Sequence, residues 1–175
     1  MDLTAIDGDE RFYRDTESVA FPKLDDHQLS LLRPLAEQRI LKRGEVVYKA
    51  GQRDFGLTIV LRGEVSVFEP RDGAEQLLAS GHERDFLGDV AMLQGTSALA
   101  TARVTSDEAE ILHVPAAELR RALAELPGVS TVIVNALIMR RRRLRRDREF
   151  AGLRILAARD ARDGHQLDDF LDKNH

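Results

Sequence analysis

The stretch with the most chemical content is Phe86-Leu87-Gly88-Asp89-Val90-Ala91-Met92-Leu93, followed by Gln94-Gly95-Thr96-Ser97-Ala98-Leu99-Ala100-Thr101-Ala102. A glycine and an acid open one apolar helical turn, and a glycine-bearing loop with a run of small residues comes next. A helix N-terminus presents unpaired N–H groups and a partial positive charge, which suits a phosphate. Glycine lets the backbone approach a ligand closely. The pattern outlines a pocket for a sugar phosphate, with Gly88, Asp89, Val90, Ala91, Ala98, Leu99, Ala100 and Thr101 as candidate binding residues. No residue from Thr96 to Ala102 carries a positive charge. Arg103, just beyond this run, reads as a strand-surface charge. Asp89 also has a plainer reading, as the N-cap of the short helix.

Other chemistries are poorly supplied. His27, His82, His113, His165 and His175 are scattered with no metal-ligand spacing, against a metal-dependent jelly roll. Ser97 and Thr101 have no histidine nearby in sequence to activate them, so no catalytic residue is assigned. The chain has no cysteine, hence no disulfide, zinc thiolate or thiol nucleophile, in keeping with a cytoplasmic setting. A net charge of −4 argues against a globally basic nucleic-acid binder. The run Arg140-Arg141-Arg142-Arg143-Leu144-Arg145-Arg146-Asp147-Arg148 lacks aromatic interleaving and reads as a solvated or interdomain helix face. The acidic start, residues 1–17, has no basic and apolar leader pattern. No apolar run nears the ~20 residues that span a bilayer.

The elements that must position the pocket follow from periodicity. Residues 1–20 read as a flexible or loosely helical arm. Asp25 or Asp26 then N-caps a helix carrying Leu29, Leu31, Leu32 and Leu35. From Arg39 the period drops to two. Short strands are predicted at Ile40–Leu41, Val46–Tyr48, Leu57–Leu61, Val65–Phe68 and Leu77–Ala79, separated by Gly44, Gly51, Gly63, Arg71-Asp72-Gly73 and Gly81. Asp72-Gly73 between two strands is a hairpin signal. Two more strands fall near Ala100–Thr105 and Ala109–Val114. Many short, glycine-punctuated strands imply a mainly β fold, a jelly roll or double-stranded β-helix.

Pro115 opens a helix to Ala124, and Leu126-Pro127-Gly128 breaks it. A long helix then runs from about Val129 to Phe150. Val132, Ala136 and Met139 form one apolar stripe; Ile133, Leu137 and Leu144 form another. One stripe covers the barrel while the other meets a partner, so a homodimer through residues 129–150 is expected. Leu153–Ala158 reads as a strand and Asp160 onward as a helix, the start of a truncated βα domain or linker over residues 151–175. Residues 21–150 form the main domain.

The spacing of Gly44, Gly51 and Gly63, the Gly88-Asp89 position and the flanking helices together resemble the cyclic nucleotide-binding domain family from about Phe21 to Leu144. The resemblance implies a β-roll with leading helices and a long C-terminal helix, acting as a regulatory domain. In that family a glycine and a glutamate open the phosphate-binding cassette, the acid accepts from a ribose hydroxyl, and an arginine grips the cyclic phosphate. Asp89 stands here for the glutamate, and Ala98 or Leu99 falls where the arginine belongs. Loss of such a charge-assisted bond typically costs ~3 kcal/mol, over a hundredfold in affinity. Weak or absent cyclic AMP binding follows, leaving another phosphate ligand or none.

Arg154–Arg159 and His165–Asn174 are similar to a linker in bacterial flavoproteins, where such a domain precedes a thioredoxin-reductase-like, FAD- and NAD(P)H-dependent oxidoreductase. This implies that FAD and NAD(P)H bind only in a downstream domain and that occupancy of the 86–102 cassette is relayed through the long helix. Two other readings remain: the effector domain of a cyclic AMP receptor-type transcription regulator, and a degenerate structural or dimerisation module.

Overall fold

The structure, a computed structural model, describes the backbone of residues 3–159 and the side chains of residues 10–147. Eight short antiparallel strands form two sheets. They are β1 (Glu37–Lys42), β2 (Val46–Tyr48), β3 (Leu57–Arg62), β4 (Val65–Arg71), β5 (Ala74–Gly81), β6 (Phe86–Leu87), β7 (Thr101–Val104) and β8 (Glu108–Val114). One sheet has the order β1-β8-β3-β6, the other β2-β7-β4-β5. The chain crosses repeatedly from one sheet to the other, which is the hallmark of a jelly roll and matches the expected architecture.

Turn chemistry fixes the register. Arg71 pairs with Ala74 across a two-residue loop. Asp72 and Gly73 in that loop have φ of 49° and 82°, a type I′ turn whose twist matches the strands. Gly63 also has positive φ, and a Cβ there would lie 2.3 Å from the Glu108 carbonyl oxygen, so β8 passes too close for any side chain.

Helices flank the roll. These are α1 (Leu3–Ala20), α2 (Asp26–Leu32), α3 (Val90–Gln94), α4 (Ala116–Glu125) and α5 (Pro127–Arg159). Asp25, not Asp26, caps α2. Its carboxylate accepts from the Gln28 N–H while the Gln28 side chain accepts from the Asp25 N–H, a full capping box. Leu126 separates α4 from α5, as the proline and glycine after it predict.

Two expectations need correction. Residues 3–20, read as a flexible or loosely helical arm, form the regular helix α1, and its last residue Ala20 is fully buried, which corrects the flexible reading. The predicted strand Leu153–Ala158 belongs to α5. Leucine, arginine and alanine, which dominate residues 141–159, are strong helix formers, and Gly152 is the weakest helix former with no proline among them, so the helix simply continues. Residues 160–175, read as a following helix, lie outside the described residues. The chain divides into compact units over residues 1–140 and 141–175.

The core contains Leu57, Ile59, Val60, Ile111 and Leu112 from the β3–β8 pair and Val129, Ile133, Ala136 and Leu137 from α5. Ile133, Ala136 and Leu137 are therefore turned into the domain itself. Val132 packs against the core edge and Met139 is half-buried. The outward side of α5 carries Thr131, Asn135 and Ile138, which is 42% exposed.

The two glycines make a paired prediction. Gly73→Ala should cost about 1 kcal/mol, the strain of positive φ alone, because nothing lies within 4 Å of its Cβ position. Gly63→Ala adds a backbone clash and should cost clearly more, about 3 kcal/mol. Chemical denaturation of both variants checks the order; equal losses would mean that β8 can move aside.

Candidate functional site

The cassette begins where β6 ends. A Cβ at Gly88 would sit 2.7 Å from the Met92 methyl and 3.4 Å from Leu57 Cδ1, so a side chain there would displace the end of Met92 where β6 turns against α3. Asp89 caps α3: its Oδ1 accepts from the Ala91 N–H at 3.0 Å. The plainer reading of Asp89 is thus realised in the structure, and the helix tip already carries a carboxylate. Gly95 ends α3 in the left-handed conformation, φ 69°, and donates to the Ala91 carbonyl. Arg120 from α4 donates to the Met92 carbonyl at 3.2 Å, tying α3 to the next helix.

The small-residue run is held by backbone bonds. The Ala98 N–H donates to the Gln52 carbonyl at 2.9 Å, and the Gly51 N–H donates to the Ala98 carbonyl at 2.8 Å. The Ala50 N–H donates to Thr101 Oγ1 at 3.0 Å. Two groups expected to cradle a phosphate are therefore committed to the protein, the N–H of Ala91 and the N–H of Ala98, whereas the Thr101 hydroxyl accepts from Ala50 and keeps its own O–H as a donor. Val90 is half-buried, and Ala91, Ala98 and Ala100 are buried; Leu99 points outward, 39% exposed. The structure brings Gly88, Asp89, Val90 and Ala91 into one turn. Ala98, Leu99, Ala100 and Thr101 form the strap that enters β7. Arg103 pairs with Glu75 and stacks over Phe68 at 4.0 Å, a surface arrangement on the second sheet.

Three further residues give the region its electrostatics. Burial, then the nearby Asp89 carboxylate, push the Tyr48 hydroxyl well above its ordinary pKa, while Arg140 opposes them. Burial lowers the Arg140 guanidinium to about 10, against the favourable influence of Tyr48 and Asp85, so it stays cationic at neutral pH. Arg140 Nε donates to the Ala20 carbonyl at 2.6 Å and Nη1 to the Phe86 carbonyl at 2.8 Å. Its guanidinium carbon lies 4.6 Å from the Phe86 ring centre and 5.0 Å from that of Phe21. Sequence reasoning missed this role, because Arg140 looks the same as the arginines that follow it. Tyr48 had a weak signal, as the buried end of an alternating strand.

A second polar feature lies on the strand beside β6. Thr58 pairs with both Leu87 and His113. Thr58 Oγ1 and His113 Nδ1 are buried and have no hydrogen-bond partner among the described residues. Burial first, then Arg39, hold the His113 pKa below its ordinary value, with Glu37 acting the other way.

Comparison with known proteins agrees with this geometry. Residues 38–125 match the family described as cyclic nucleotide-binding domain. The chain belongs to that family of regulatory domains. It is 27% identical over 124 residues to the cAMP-dependent protein kinase regulatory subunit of Mycosarcoma maydis, covering 69% of this chain and 23% of that protein. Its fold matches the catabolite activator protein of Thermus thermophilus with a TM-score of 0.61 at 23% identity, covering 78% of this chain and 62% of that one. The N-terminal domain of a transcriptional regulator from Streptomyces coelicolor A3(2) matches with a TM-score of 0.53 at 26% identity, over 75% of this chain and 91% of that one. The chain spans about a quarter of the length of the curated relatives it matches. Among the described residues, no helix is long and apolar enough to cross a membrane.

The Asp89 cap makes a prediction. Asp89→Ala should lose about 1 kcal/mol of stability, whereas Asp89→Asn, which still caps, should lose little. Thermal denaturation of both checks this; equal losses would show that the carboxylate acts through its charge.

Proposed function

We propose that this chain is the regulatory part of a larger protein and that its cassette responds to a small phosphate-bearing ligand, with weak affinity for cyclic AMP. The observation that carries the reading is the cassette itself: Gly88 and Asp89 open α3 between β6 and the strap, and no cation is supplied from residues 96–102. The committed Ala91 and Ala98 N–H groups support weak affinity. Occupancy shifts the population of cassette conformations, and α5 carries the change onward.

The partner domain is a finer proposal. The likeness of Arg154–Arg159 and His165–Asn174 to a flavoprotein linker supports a thioredoxin-reductase-like domain downstream, with FAD and NAD(P)H bound there. The strand at Leu153–Ala158 no longer supports it, because those residues are helical. The second reading, a cyclic AMP receptor-type transcription regulator, draws on the fold shared with the catabolite activator protein. A strand-borne Gly-x-Gly-x-x-Gly soon after residue 175 of the parent protein would favour the reductase; two or three short helices would favour the regulator.

Calorimetry tests the ligand reading. Wild-type protein should bind cyclic AMP at least about a hundredfold more weakly than the Leu99→Arg variant, which restores the guanidinium at an exposed position. Micromolar binding by the wild type would remove the importance of the missing charge.

Self-association is also proposed, through the outward side of α5 around Val134 and Ile138, since Ile133, Ala136 and Leu137 are used internally. Light scattering at micromolar concentration should give a dimer. The mass of one 19.6 kDa chain would remove the idea.

A further inference from the structure

We infer that Arg140 is a positioning residue that makes the docking of α1 and the placement of the cassette strand one coupled event. One guanidinium bridges two carbonyls that are far apart in sequence. Nε holds Ala20, the last residue of α1, and Nη1 holds Phe86, two residues before Gly88. The planar fork suits this bridging, because its donors are fixed relative to each other. The rings of Phe21 and Phe86 both face the same cation, so the aromatic contacts join the same two segments.

Charge strengthens the argument. Arg140 forms no ion pair among the described residues. With Asp85 acting on it only at longer range than an ion pair, the cation is held directly by the carbonyls and rings around it. Undocking α1 withdraws the Ala20 carbonyl and loosens the adjoining Phe21 ring, and so weakens the grip on Phe86. Strand β6 is the part of the sheet most open to this influence. It has two residues, lies at the sheet edge and pairs only with β3.

A parallel route also joins the two regions. The Leu24 N–H donates to the Arg84 carbonyl at 3.0 Å, and Lys23 Nζ donates to the Glu83 carbonyl at 2.8 Å. The test must separate that route from Arg140. The inference extends the regulatory reading by adding α1 to the moving parts, but its test needs no ligand, so its failure leaves the ligand reading untouched.

The measurement is amide hydrogen exchange on the full 175-residue chain. Phe21 is more than a third exposed, so Phe21→Ala leaves the core intact. Phe21→Ala should speed exchange over residues 86–95 by about tenfold, the effect of weakening one charge-assisted bond. Residues 57–60 and 109–114 should be unchanged, which certifies the fold. In the Arg140→Gln background, exchange over 86–95 should already be fast, and adding Phe21→Ala should change it no further. Arg140→Lys keeps the charge but has a single donor centre, so it too should lose the response to Phe21→Ala. The inference is overturned if Phe21→Ala leaves 86–95 unchanged in the wild type. It is equally overturned if the change is as large in the Arg140→Gln background, or if Arg140→Lys retains the coupling.

Discussion

The whole domain depends on one strand being buried on both sides. Leu57, Thr58, Ile59 and Val60 are four consecutive buried residues of β3. A strand with one wet face alternates, whereas this one cannot. It pairs with β8 on one edge and β6 on the other. Helix α5 contributes Val129, Ile133, Ala136 and Leu137 to the same core. The cassette inherits its position from this arrangement. Leu57 lies against the space beside Gly88, and Met92 fills it from α3. Moving the cassette therefore means moving a two-residue edge strand against a rigid centre.

The charges around the cassette are distributed unlike the simplest phosphate cradle. The carboxylate of Asp89 sits at the tip of α3, and the strap from Ala98 to Thr101 is closed by its own backbone bonds to the β2–β3 loop. The positive group comes from α5 instead, through Arg140, and it is engaged with carbonyls and aromatic rings. Affinity for an anion and mechanical linkage are then separate properties of separate residues. A regulatory domain can therefore vary one without the other.

Much of the fold was legible because turns and alternation are local signals. Asp72-Gly73 specified its hairpin, and Val65–Phe68 and Ala109–Val114 announced their strands. Strand β6 was not legible, since Phe86-Leu87 is too short to show a period and merges with the apolar turn that follows. Leu153–Ala158 was misread because a six-residue stretch with five apolar residues suits a strand or a helix equally, and the preceding helix decides between them. At the site, Gly88 and Asp89 could be read from their types. The committed N–H groups could not, because Gly51, Gln52 and Ala98 meet only through tertiary packing. The same holds for Arg140, whose partners lie 120 and 54 residues away.

The tight I′ loop at Asp72-Gly73 has a practical consequence. It closes the hairpin whose second strand, β5, is the outer member of its sheet, and residues 72–76 are all exposed. A reporter domain spliced there would hang from two adjacent chain ends, remote in the hydrogen-bond ladder from β3, β6 and α5. The loop is thus a graft point at which an added domain leaves the packing of β3, β6 and α5 undisturbed.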